Sequence, residues 1–215
     1  VTRIAALVSP HGFGHAARTS AVLSELARRR PDLGIDVVTS VPGWFFEASL
    51  EGPFRHHLRA TDVGLVQPSA LVEDPGATVE ALERLGSEAV VTGFARELER
   101  LAPDLVLCDV SPFGLEAARR AGLPAALIEN FTWDWIYSGY VEVEPRLVPW
   151  IERIAAASAG ADLRIQCEPI CSPLPGATRV PPVARSPRRG PAAVRARLGI
   201  APESRMILVS MGGID

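Results

Sequence analysis

Apolar residues recur along the chain in two alternating rhythms. Short unbroken runs, Ile4 to Val8, Ile35 to Thr39, Leu105 to Cys108 and Ala125 to Glu129, have the length and composition of strands buried on both faces. Between them the apolar positions step by three and four, as in Ala16 to Arg29, where Ala16, Ser20, Leu23, Leu26 and Ala27 share one side. Val79 to Leu101 and Ser111 to Ala121 repeat that period, and Pro31 stops the first helix behind Arg28, Arg29 and Arg30. Pro42-Gly43 turns into a short helix, Trp44 to Leu50, and Phe54 to Ala60 and Ala161 to Cys167 read as further strands. Strand and helix in regular alternation predict an α/β fold, a Rossmann-like doubly wound parallel sheet. Ligands of such sheets bind outside the carboxyl ends of the strands, here Ser9 to His15, Thr39 to Gly43, Asp109 to Pro112 and Glu129 to Asp134.

Two stretches break the rhythm. Thr61 to Thr78 is long for a connection within a compact domain, which makes it a candidate binding loop or a poorly ordered one. From Cys171 the composition turns to proline and arginine, culminating in Pro181 to Pro191. A Rossmann-like domain over residues 1–180 is therefore expected, then a linker with a short helix, Ala192 to Leu198, over 181–205. Met206 to Ser210 and the glycines after it, over 206–215, read as the first strand and loop of a second domain absent from this chain.

Composition narrows the function classes. With 215 residues, 47% hydrophobic and 22% charged, the chain can bury a sizeable core. The net charge is -3 and every basic residue is an arginine, scattered or closing a helix, so nucleic acid is not an expected partner. No apolar run approaches the roughly 18 residues of a membrane span, and a soluble, cytoplasmic protein is expected. Cys108, Cys167 and Cys171 are too few for a disulfide framework, and no second ligand pair accompanies Cys167 and Cys171, so no metal is expected. In the third strand His56 and His57 fall on opposite faces and cannot chelate one ion together.

The candidate chemistry gathers in Ser9-Pro10-His11-Gly12-Phe13-Gly14-His15-Ala16-Ala17-Arg18, a strand, a glycine loop and a helix start. Gly12 and Gly14 permit positive φ and close approach of a ligand, and the helix aims its free N–H groups into the same space. His15 stands at the mouth of that loop, where a group titrating near neutral pH can move protons, although a histidine there would equally cap the helix. The third glycine of the dinucleotide fingerprint is replaced by Ala17 and the second strand ends without an acidic residue, which excludes a nicotinamide or flavin cofactor. Asp109 follows four apolar residues, where a carboxylate must be paired, and lies within reach of His15 if the first and fourth strands are neighbours. Asn130, Thr132, Trp133 and Asp134 offer flat apolar faces and polar groups suited to sugar rings or apolar acceptors, though the aromatics could simply anchor the helix that follows.

These residues resemble the two-domain GT-B glycosyltransferases, within them the proteins whose first loop reads Gly-His-x-x-Arg. The resemblance covers nearly the whole chain as an N-terminal domain plus the first strand of the next. It implies His15 as the base that deprotonates an acceptor, Asp109 as the aspartate that orients it, and Gly12, Gly14 and Arg18 beside the substrate. His11 to Arg18 and Asn130 to Tyr137 look like the glycosyltransferase-like region of plant arabinokinases and its bacterial relatives. Gly14 to Arg18 with Val209 to Gly213 also resembles a nucleotide-sugar hydrolase of the pseudaminic acid pathway. The expected function is transfer of a sugar from a nucleotide-sugar, bound as substrate with no cofactor, to the hydroxyl of a small-molecule acceptor. Gly212 and Gly213 would begin the donor site. Hydrolysis by water and a non-catalytic sugar or nucleotide-sugar sensor are the alternatives. The sequence is silent on oligomeric state.

Overall fold

The computed structural model describes residues 2–209. Its elements run β1 (Arg3–Val8), α1 (Phe13–Arg29), β2 (Gly34–Thr39), α2 (Gly43–Glu47), β3 (Arg55–Leu58), α3 (Pro75–Leu85), α4 (Glu88–Leu101) and β4 (Leu105–Asp109). They continue with α5 (Pro112–Arg120), β5 (Ala125–Glu129), α6 (Trp133–Ser138), a 3-10 turn (Pro145–Leu147), α7 (Val148–Ala159), β6 (Leu163–Cys167), β7 (Thr178–Val180) and α8 (Pro191–Leu198). Seven strands form one all-parallel sheet in the order β3-β2-β1-β4-β5-β6-β7. The order reverses between β1 and β4, which is the switch point where such sheets open a crevice. Register there sets Val8 opposite Asp109, so both strand ends reach the same edge together.

Each central strand buries alternate residues in two different layers. Ile4, Ala6 and Val8 pack with Leu23 of α1 and Phe45 and Phe46 of α2. Ala5 and Leu7 face the other way, onto Phe94 and Leu98 of α4 and Leu115 and Ala118 of α5. A third cluster, above the sheet's carboxyl edge, joins Val79, Leu82 and Val91 to Phe113, Trp133, Tyr137 and Ile154. This last cluster holds the irregular chain after β3 in place. Thr61 is fully buried and its hydroxyl donates to the Val8 carbonyl at 2.8 Å, while Tyr137 donates to the Gly64 carbonyl at 2.6 Å. No helix of the described residues is long and apolar enough to cross a membrane.

Several expected boundaries change. The stretch 79–101 is two helices, because the chain breaks at Gly86, whose carbonyl accepts from Arg153 and where a Cβ would lie 2.6 Å from the Trp150 ring. The first of these helices starts inside the predicted loop, at Pro75, since Asp74 caps it by accepting from the Ala77 N–H at 2.8 Å. The aromatics after β5 open the short α6 and not one long helix. The strand β7 was not expected: only three residues long, it carries too little apolar pattern to be read. Residues 181–188 fold back over α1 and α2, with Val183 on the core, Arg185 over the Phe45 ring and its guanidinium bonded to Ser49. Residues 206–209 form no strand and join no sheet, with Ile207, Leu208 and Val209 exposed, whereas the remainder of the predicted strand lies outside the described residues.

Candidate active site

Gly12 is the N-cap of α1 and takes a positive φ of 78°, which turns the chain from β1 into the helix without the strain a side chain would meet. Gly14 is already helical; contrary to expectation it needs no unusual backbone, and open space lies where its Cβ would stand. Two turns of α1 then lie along the end of β4. His15 Nδ1 is 2.9 Å from Asp109 Oδ1, Arg18 Nε donates to Oδ2 at 3.0 Å and Thr19 donates to the same oxygen at 2.8 Å. Arg18 also bonds Oδ1 through Nη2 and donates through Nη1 to Asn130 Oδ1 at 2.8 Å, which carries the network across to the end of β5.

The electrostatics follow from this arrangement. Asp109 is fully buried, and burial alone would raise its carboxyl, but the Arg18 charge and the hydrogen bonds from His15 and Arg18 hold it below the ordinary value of 3.8. Burial works against the Arg18 cation in turn, and Asp109 more than restores it. An ionised carboxylate can only accept, so the proton of His15 sits on Nδ1, and Nε2 is the ring nitrogen left to take another. Because Arg18 already neutralises Asp109, what Asp109 gives His15 is mainly tautomer and orientation.

His15 lines a cleft of about 310 Å³ together with His11, Arg18, Asn130, Phe131 and Cys167. A larger cavity of about 780 Å³ shares the walls Gly14, Arg18 and Val183 and extends along α1 beneath residues 183–188. Of the residues proposed from sequence, His15, Asp109, Arg18, Asn130 and Gly14 come together here. Arg18 spends its donors on Asp109 and Asn130, so it braces the pair as well as facing the cleft. Thr132 is buried at the N-cap position of α6 without a side-chain cap bond, and Trp133 is 2% exposed and faces inward, its indole N–H donating to Asp62 Oδ2 at 2.9 Å. Asp134 lies in the first turn of α6, away from the cleft walls, and its Oδ1 is buried with no partner among the described residues. Gly212 and Gly213 lie outside the described residues.

Sequence reasoning missed Asp62, His11 and Phe131. His11 and Phe131 stood inside the quoted motifs without a role. Asp62 lay in the irregular stretch after β3, and its signal was a carboxylate beside Thr61 at the carboxyl end of a parallel strand. No cluster of three or more metal-ligating side chains occurs among the described residues.

No known family model matches the chain. In sequence it is 31% identical over 220 residues to an L-arabinokinase of Arabidopsis thaliana, covering 96% of this chain and 20% of the kinase. In structure it is similar to UGT89C1 of Arabidopsis thaliana complexed with quercetin, with TM-score 0.55, 17% identity, and 94% of this chain and 55% of that one covered. LpCGTa in complex with UDP gives a TM-score of 0.51 at 18% identity over 85% of this chain and 53% of that one. MurG of Acinetobacter baumannii gives 0.50 at 16% identity over 87% and 47%. The chain thus spans about a fifth of the kinase and about half of each solved structure. Its seven-stranded parallel sheet, with the strand order reversing beside His15 and Asp109, is the fold of the Rossmann-like half of a GT-B glycosyltransferase.

Proposed function

We propose that this chain is the acceptor-side half of an enzyme that transfers a sugar from a nucleotide-sugar to a hydroxyl group. The observation that carries this is the 2.9 Å contact of His15 Nδ1 with a buried, ionised Asp109, at the switch point of the sheet and on the wall of an open cleft. A solved relative in fold is complexed with UDP and another with quercetin, a hydroxylated ring compound, which agrees with a nucleotide-sugar donor and a hydroxyl acceptor here.

In the proposed reaction the acceptor hydroxyl gives its proton to His15 Nε2 as its oxygen bonds to the anomeric carbon. The bond from that carbon to the diphosphate oxygen breaks, and the nucleoside diphosphate leaves with the electron pair. Asp109 keeps the imidazole turned and in the correct tautomer, and Arg18 and Thr19 keep Asp109 ionised. General-base help of this kind is worth about 10²–10⁴-fold. The donor would lie mainly on a second domain beyond residue 205, with the 181–205 segment as its linker.

The test is turnover of nucleotide-sugars by the full-length protein, with and without hydroxylated acceptors. Product that requires the acceptor, and that falls by about 10²-fold or more in His15→Ala, is the expected result. Release of free sugar at the same rate with and without acceptor would replace transfer by hydrolysis. Turnover undiminished in His15→Ala would remove the base from the mechanism.

A further inference from the structure

Asp62 is a second buried carboxylate at the same edge of the sheet, and nothing in the proposed reaction uses it. It is 3% exposed and carries a single well-formed side-chain bond, from the Trp133 indole N–H. Its Oδ1 meets no donor in hydrogen-bonding geometry among the described residues, although Ser9, at the end of β1, stands beside the carboxyl. A charge buried with so little compensation is costly, and a simple structural role would be served as well by an uncharged acceptor.

The group it holds forms the wall of the His15 cleft. Trp133 packs edge-on against His11 at 5.1 Å and against Phe131 at 5.2 Å between ring centroids. Phe131 in turn packs edge-on against the His15 ring at 5.7 Å. His11, Phe131 and His15 all line the cleft, whereas Trp133 stands behind them. A second tie runs parallel to the first: Tyr137, stacked on Trp133 at 5.8 Å, donates to the carbonyl of Gly64, two residues beyond Asp62. The segment 62–64 thus grips the aromatic wall at two points.

We infer that Asp62 is a positioning residue for the His15 cleft, holding the His11 and Phe131 wall through Trp133. Its functional meaning rests on the acceptor-side reading given above, while its structural meaning does not. Burial lifts the Asp62 carboxyl to about 6 against the pull of the neighbouring Ser9 hydroxyl, the bond from Trp133 and the charge of His15, with Asp109 adding to the rise. The groups facing it are Ser9 just after β1, His15 from α1, Asp109 from β4, Trp133 and Tyr137 from α6, and Arg84 of α3 across a shared apolar groove. A charged Asp62 binds the indole N–H roughly twice as strongly as a neutral one. The wall is therefore firm above pH 6 and loosened below it.

The test is proton and nitrogen NMR of the chain without substrate, from about pH 4 to about pH 8. The Trp133 indole signal, identified by its loss in Trp133→Phe, is expected to shift with a midpoint near 6, with the Phe131 ring signals following it. In Asp62→Asn the inflection that the indole and Phe131 signals share should be lost, leaving only what the adjoining His11 and His15 rings contribute. An indole signal that does not titrate, or titrates unchanged in Asp62→Asn, overturns the inference. If Asp62→Asn fails to fold, Trp133→Phe carries the test: the Phe131 signals must lose the part of their inflection that follows the indole signal in the wild type, and Phe131 signals that titrate unchanged from the wild type overturn the inference. No readout here depends on turnover, so a coupled wall in a protein that transfers no sugar would refute the transferase reading alone.

Discussion

Replacing Asp62 by asparagine should make the protein more stable at neutral pH, although the carboxylate is buried and hydrogen-bonded. Its carboxyl is raised from the ordinary 3.8 to about 6, and each pH unit of such a difference corresponds to about 1.4 kcal/mol. The charged form is therefore penalised by about 3 kcal/mol in the folded state relative to the unfolded one. That penalty is already net of the Trp133 bond; asparagine keeps an oxygen for the Trp133 N–H but buries an amide NH2 where Oδ1 now meets no donor, a cost of about 1–2 kcal/mol. A net gain of about 1–2 kcal/mol at pH 7 remains. The sign of the pH dependence follows from the direction of the shift. Between 3.8 and about 6 the folded protein binds this proton and the unfolded chain does not, so wild-type stability falls as pH rises through that window. The penalty is complete above 6 and absent below 3.8, and the advantage of Asp62→Asn should open across the same interval. Urea denaturation of both proteins at a series of pH values measures it. A variant less stable than the wild type at pH 7, or a difference that does not change with pH, would refute the reasoning.

Asp109 should behave in the opposite way. Asp109→Ala strips a buried guanidinium, Arg18, of its counter-ion and should cost about 3–5 kcal/mol in chemical denaturation, Asp109→Asn less. Because the Asp109 carboxyl is held below 3.8, its contribution is fully present above that pH and lost as the pH falls below it, so the gap between wild type and Asp109→Asn should narrow only in strong acid. Gly64→Ala should lower the melting temperature, since the position has φ +68° and an added Cβ would lie 2.6 Å from His11 Nδ1; a cost of about 1–2 kcal/mol is expected, and an unchanged melting temperature would contradict the packing of His11.

The sheet was legible because its strands are short, apolar and separated by helices with a clear period. Val106, Leu107 and Cys108 are buried on both faces, and a continuous apolar run is what such a strand must show. From that reading followed the pairing of His15 with Asp109, which needs only that β1 and β4 adjoin. Asp109 is free to make that pairing because Ser111, not Asp109, caps α5, accepting from the Gly114 N–H. Elements that depend on distant partners were hidden. The break at Gly86 reflects the Trp150 ring and Arg153, some 65 residues away in sequence, and no local pattern announces them. Trp133 looked like a sugar platform because an aromatic residue at a strand end suits either a ligand or a core, and its burial together with the Asp62 bond decides for the core.

Asp62 and Asp109 stand at one edge of one sheet, both fully enclosed, and the surroundings drive them apart. Asp109 receives two donors of Arg18, the hydroxyl of Thr19 and the imidazole of His15, and stays ionised far below neutral pH. Asp62 receives little beyond the Trp133 indole and titrates near 6. Equal burial thus yields opposite outcomes, decided by how many donors each carboxylate meets. Separation of this kind assigns different tasks to like groups. An Asp109 held ionised at neutral pH can fix the tautomer of a base there, whereas a carboxylate raised to about 6 can alter the grip on the wall beside that base. Neutralising Arg18 would test the dependence, because Asp109 would then lose its main compensation and its carboxyl should rise toward that of Asp62. Carbon NMR of the Asp109 carboxyl in Arg18→Met would follow this, and a carboxyl that stays below 3.8 would show that His15 and Thr19 hold it there unaided.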